Sequence, residues 1–164
     1  MVIGPWSLVA GADTMEAEEF MPGKYDKFGV TFLYPENWQI VEEEGDDWPQ
    51  TVTVQSPGGA FISLFIYEGS VNLRELVREA VEAMKQEYED IETEEILQPQ
   101  DGSDYGYNLD FYCLDLVISA QIRGALLPGK AVVWQSQAET REFDQSELVF
   151  KAITMSLLGK VPMP

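Results

Sequence analysis

The sequence predicts an α+β sandwich, an antiparallel β-sheet with helices on both faces. Apolar residues alternate with period 2 in several segments joined by hairpin-length connections, which antiparallel pairing permits and parallel crossovers do not. Two segments switch to helical spacing, one mid-chain and one near the end, so the order runs strands, helix, strands, helix. Residues 60–67 are apolar on both sides of an extended chain, which requires covering layers above and below the sheet.

In chain order, residues 24–28 read as an extended lead-in and Gly29 as a turn. Val30, Phe32 and Tyr34 then alternate with Thr31 and Leu33 in a strand that Pro35 must end, because proline offers no N–H to a ladder. Trp38 is expected to pin the chain back onto the sheet edge and to open a strand over residues 38–42. Residues 42–49 form a charged loop, and Val52 and Val54 mark a strand over 51–55. Ser56-Pro57-Gly58-Gly59 is a turn by its chemistry. Residues 60–67 follow as the expected central strand, with Ile62, Leu64 and Ile66 facing one way and Phe61, Phe65 and Tyr67 the other.

Residues 71–89 carry Leu73, Leu76, Val77, Ala80, Val81, Met84 and Tyr88 at helical spacing. Asn72 and Glu75 have capping-box spacing, flanked by Val71 and Leu76 as staple. Residues 91–97 read as an edge strand guarded by Glu92, Glu94 and Glu95. After a turn at Asp101-Gly102-Ser103 come strands over 106–114 and 116–123, then a Pro128-Gly129 hairpin into a strand over 130–138. The final helix is expected over 144–157, with Asp144 and Glu147 as its capping box and Phe143 and Leu148 as its staple. One domain over 23–158 suits a chain of 164 residues, with a flexible acidic tail over 1–22 and a short tail over 159–164.

Charge narrows function. The chain has 29 Asp and Glu against 10 Lys and Arg, for a formal charge of −19. Such a surface repels nucleic-acid phosphates and anionic membranes and favours a basic protein partner or a cation. With no His, Ser-His-Asp and Cys-His hydrolases are excluded; one Cys excludes an internal disulfide and a multi-cysteine zinc site. No apolar run reaches membrane-span length and no secretory signal is read, so a soluble, cytoplasmic monomer without cofactor is expected.

The run Gly29-Val30-Thr31-Phe32-Leu33-Tyr34-Pro35-Glu36-Asn37-Trp38, the Ser56-Pro57-Gly58-Gly59 turn and the closing segment with Phe143, Phe150, Ile153 and Ser156 resemble the PsbP-like superfamily. Its members include photosystem extrinsic proteins and the Ran-binding Mog proteins. The resemblance spans residues 24–158 in order of elements. It implies a sheet of about six or more strands between helices, and a role in binding other proteins rather than in catalysis.

The sharpest candidate site is the acidic loop, Glu42, Glu43, Glu44, Asp46 and Asp47, followed by Trp48. Clustered carboxylates beside an aromatic ring suit a Lys- or Arg-rich protein surface; alternatively, residues 42–47 would hold calcium or manganese, which prefer oxygen ligands. The leading reading is a non-catalytic interaction module using this loop. Asp110, Asp115 and Arg123 are a weaker candidate, a polar cluster of the kind that carboxylate-pair chemistry uses. Cys113 is expected to be buried and inert, Trp38, Tyr107, Phe111 and Trp134 to be core, and Trp48 to be the aromatic least claimed by burial.

Overall fold

A computed structural model describes residues 22–159, apart from 44 and 46; the expected tails over 1–22 and 159–164, except for residues 22 and 159 themselves, lie outside the described residues. The described residues open with a two-stranded hairpin, β1 (Gly23–Lys27) and β2 (Val30–Tyr34). A seven-stranded antiparallel sheet follows: β3 (Gln39–Glu42), β4 (Gln50–Gln55), β5 (Phe61–Glu68), β6 (Glu92–Ile96), β7 (Tyr105–Cys113), β8 (Leu116–Leu127) and β9 (Lys130–Glu139). Its spatial order is β3-β4-β5-β9-β8-β7-β6. Helix α1 (Leu73–Glu87) connects β5 to β6, and α2 (Thr140–Leu157) follows β9.

The helices cover opposite faces, as β9 shows. Val132 and Trp134 join one core with Ile62, Leu64, Ile66, Phe150 and Ile153 of α2. Ala131 and Val133 join the other with Leu73, Val77, Val81 and Met84 of α1. The β1–β2 hairpin packs on α2 and contributes Tyr25, Val30 and Phe32 to the α2 core. Each helix lies over only part of its face, since α1 packs against β7, β8 and β9. Gly124 lets α1 approach β8 closely, because a Cβ there would come within 2.8 Å of both Leu73 and Val77.

That coverage revises the expected centre. β9, with four consecutive buried residues from Ala131 to Trp134, stands in the middle of the sheet, and β5 stands beside it. Ile62, Leu64 and Ile66 are buried as expected, but Phe61, Phe65 and Tyr67 are half-buried, because α1 sits over β8 rather than β5. They line an open groove with Met84 and Tyr88.

The first strand also departs from expectation: residues 30–34 pair with 23–27 and not with the main sheet. Phe28 and Gly29 both take left-handed φ, +55° and +76°, and together make the two-residue hairpin turn. Pro35 ends β2, and Trp38 N–H donates to its carbonyl at 2.9 Å. Trp38 is buried edge-on against Phe150 of α2, 5.9 Å between centroids, so it pins the chain to the helix rather than to the sheet edge.

α1 forms as its sequence predicts, with Asn72 Oδ1 accepting from Glu75 N–H at 3.2 Å. α2 starts four residues earlier than expected, at Thr140, so Asp144 and Glu147 lie inside the helix and form no cap. β9 passes directly into the helix, with Glu139 at the N-cap position but no side-chain capping bond. Instead, Thr140 Oγ1 donates to the Val117 carbonyl of β8 at 3.1 Å, a tertiary tie at the helix start. Leu148, the expected staple residue, is 47% exposed.

Candidate functional site

In the acidic loop, Glu42 is already engaged. Lys27 Nζ donates to both of its carboxylate oxygens, at 3.0 and 3.2 Å, and Tyr25 Oη donates to one of them at 2.9 Å. The Lys27 hydrogen bond and then that of Tyr25 hold the Glu42 carboxyl below its ordinary value. Burial, with Glu42 beside it, pushes the Tyr25 phenol up. Glu43 and Asp47 are exposed, while Glu44 and Asp46 lie outside the described residues. Buried Gln50 holds the loop's shape by donating to the Gly45 and Asp47 carbonyls at 3.2 and 3.0 Å. Trp48 is 40% exposed and meets Phe28 edge-on, 6.1 Å between centroids, so the loop folds toward the β1–β2 turn.

The expected cluster of Asp110, Asp115 and Arg123 does not assemble. Register places Asp110 opposite Ser119, whose hydroxyl donates to it at 2.9 Å, and Arg123 opposite Gly106, four rungs along the ladder. Arg123 is buried and bonds elsewhere: Nε to Asp101 Oδ2 at 3.0 Å, Nη1 to the Tyr107 carbonyl at 2.6 Å, and Nη2 to Asn108 Oδ1 at 2.7 Å. Burial lowers the Arg123 pKa, opposed by Asp101. Burial alone would raise Asp101, but two hydrogen bonds from Ser103 and the Arg123 charge together hold it below its ordinary value. This group is a structural clamp between the 101–103 turn and β7–β8.

Of the expected core residues, Trp38, Phe111 and Trp134 are buried, whereas Tyr107 is only half-buried. Tyr105, which no local spacing marks, is buried beneath Arg74, whose guanidinium lies 4.7 Å from the ring centroid. Tyr105 Oη donates to Glu95 and accepts from Arg78 Nε, tying α1 to the edge strand. Cys113 is half-buried rather than fully buried, at the end of β7.

Two surface features stand out where β7 ends and β6 and β8 begin. The first is an acidic edge: Glu87, Glu89, Asp90, Glu92, Glu94 and Glu95 are all exposed, and residues 86–95 include no Lys or Arg. Glu92 pairs with Asp110, and the Tyr88 ring lies 4.2 Å from Phe111, so this run passes beside the β7–β8 turn. The second is the turn itself, Leu114-Asp115, with exposed Tyr112, Leu114, Leu116 and Val117 around it. The readable signal was an apolar Leu114 where alternation must stop; without Asn or Gly, the stretch carried no ordinary turn signature. Among the described residues, no group of three or more carboxylates or Cys gathers as a metal site, and no helix is long and apolar enough to cross a membrane.

No family model matches the sequence, and no curated protein matches it. The structure is similar to the solution structure of cyanobacterial PsbP (CyanoP) from Synechocystis sp. PCC 6803, with TM-score 0.53 and 17% identity over 82% of this chain and 90% of that one. It also matches the crystal structure of LpqN, involved in cell envelope biogenesis of Mycobacterium tuberculosis, with TM-score 0.42 and 10% identity over 82% of this chain and 87% of that one. At these identities the likeness to CyanoP speaks to architecture alone. The seven-stranded antiparallel sheet, with one helix on each face among the described residues, is a PsbP-like α+β fold.

Proposed function

We propose that the chain is a non-catalytic protein-interaction module that binds a basic protein partner through its acidic surface. The observation that carries this reading is the exposed carboxylates Glu87, Glu89, Asp90, Glu92 and Glu94 beside Asp110, on an edge of a chain with formal charge −19. Such a surface steers a cationic partner toward itself and rejects anionic ones. The same glutamates discourage strand addition at the β6 edge, so the partner is held by side chains rather than by an extended ladder. The absence of His from the sequence removes the commonest general acid–base group, which supports a binding role over a catalytic one. In the acidic loop, the oxygens of Glu42 are occupied by Lys27 and Tyr25, which withdraws them from a cation and from a partner's basic side chain alike.

The test is fluorescence anisotropy of a labelled Lys/Leu peptide titrated with the full chain, beside a Glu/Leu peptide of equal length. The reading expects saturable binding of the basic peptide that weakens as salt rises, and none of the acidic one. Equal binding of both, or of neither, overturns it.

A further inference from the structure

Four of the exposed large apolar side chains fall within six residues: Tyr112 is 70% exposed, Leu114 92%, Leu116 45% and Val117 41%. They surround the two-residue turn between β7 and β8, in which Leu114 and Asp115 take φ of +51° and +69°. The left-handed conformation disfavours a residue bearing a Cβ, and two-residue hairpin turns ordinarily use Asn and Gly for that reason. Leu114 is therefore unfavourable twice over, in its backbone conformation and in its contact with water, and folding accounts for neither.

The surroundings present the patch rather than bury it. Tyr112 faces Val117 across the ladder. Thr140 Oγ1 anchors the base of the hairpin through the Val117 carbonyl and the Ser119 hydroxyl, at 3.1 and 2.9 Å. Next to the tip lies a recess of about 400 Å³ lined by Asp115, Leu116, Val117, Glu139, Thr140 and Arg141. Arg141 is neutralised by Glu139 at 2.8 Å, whereas Asp115 and Asp110 have no cationic partner among the described residues. The result is an apolar knob beside a recess with an unneutralised carboxylate at its rim.

We infer that the β7–β8 tip is the docking surface for a protein segment presenting a Lys or Arg flanked by apolar side chains. Leu114 and Tyr112 insert among the partner's apolar groups. The cationic side chain lays its alkyl stem along Val117, which faces Tyr112 across the ladder, and sets its head at Asp115, with Asp110 and Glu92 further along the ladder. Charge complementarity selects this occupant, because the same carboxylates oppose an anionic bilayer. The inference rests on the acidic-module reading above and assigns its contact surface.

The experiment follows the backbone amides of the ¹⁵N-labelled full chain during titration with the Lys/Leu peptide, the Glu/Leu peptide, and phosphatidylcholine vesicles with and without phosphatidylglycerol. The basic peptide is expected to shift residues 110–118 and 139–141, and Leu114→Asn or Asp115→Asn is expected to weaken it about tenfold. Both substitutions introduce a residue that tolerates the left-handed turn, and retained amide dispersion confirms folding. Shifts confined to residues 42–48, or affinity unchanged in both variants, overturn the tip while leaving the acidic-module reading standing. No shift anywhere overturns both, and vesicle binding lost in Leu114→Asn overturns the protein partner in favour of a membrane.

Discussion

Arg123 occupies the space that a side chain on Gly106 would need. The two residues pair across β7 and β8, and a Cβ on Gly106 would meet the Arg123 side chain and, at 2.5 Å, the Ile122 carbonyl. Gly106→Ala is therefore expected to destabilise the fold by about 1–3 kcal/mol, the range for overpacking a close contact. Urea unfolding is expected to show a lower midpoint with an unchanged slope.

The Asp101–Arg123 pair gives a pH signature. The folded-state pKa of Asp101 lies below its ordinary value of 3.8, so its contribution is present above that value and is lost as pH falls through the folded one. Arg123 is the more buried partner, its side chain 7% exposed against 26% for Asp101, so removing the carboxylate leaves a buried cation unneutralised. Asp101→Asn is expected to cost about 3 kcal/mol near neutrality. Denaturation midpoints measured across pH are expected to show the gap from the parent chain narrowing below about pH 4.

The two helix starts predict opposite outcomes for similar substitutions. Asn72→Ala removes an observed capping acceptor and is expected to cost about 1 kcal/mol. Asp144→Ala lies within α2, where it caps nothing, and is expected to change stability by less than about 0.5 kcal/mol. Thermal unfolding of both variants checks the pair.

The β7–β8 turn is expected to be more stable with ordinary turn residues. Replacing Leu114 and Asp115, both left-handed, by Asn and Gly is expected to raise unfolding free energy by about 1–2 kcal/mol. Chemical denaturation of the double variant measures it.

Much of this architecture is legible in local chemistry. Asn72 and the stripe from Leu73 to Met84 define α1, and the glutamates of 92–95 mark an edge strand. The β9 centre is not legible: Ala131-Val132-Val133-Trp134 is continuously apolar, but residues 60–67 look equally so when the position of α1 is unknown. Features decided by distant contacts are not legible. α2 begins at Thr140 because β8 supplies Val117 for its hydroxyl, and Arg123 finds Asp101 through the fold, 22 residues away in sequence. The acidic loop drew notice by charge density, yet Glu42 is matched to Lys27 by β-strand placement that its neighbours in sequence do not reveal. The break at the tip is legible, since strands over 106–114 and 116–123 leave only residue 115 between them, but its left-handed conformation is not, because Leu114 and Asp115 make a turn without the residues that announce one.

The most direct measurement is the affinity of the Leu114→Asn/Asp115→Gly variant for the Lys/Leu peptide, compared with the parent chain under the same salt. The predicted result is binding weakened about tenfold or more in the more stable protein, since the apolar knob and its carboxylate are lost together. Unchanged affinity would contradict the assignment of the β7–β8 tip as the surface that meets the partner.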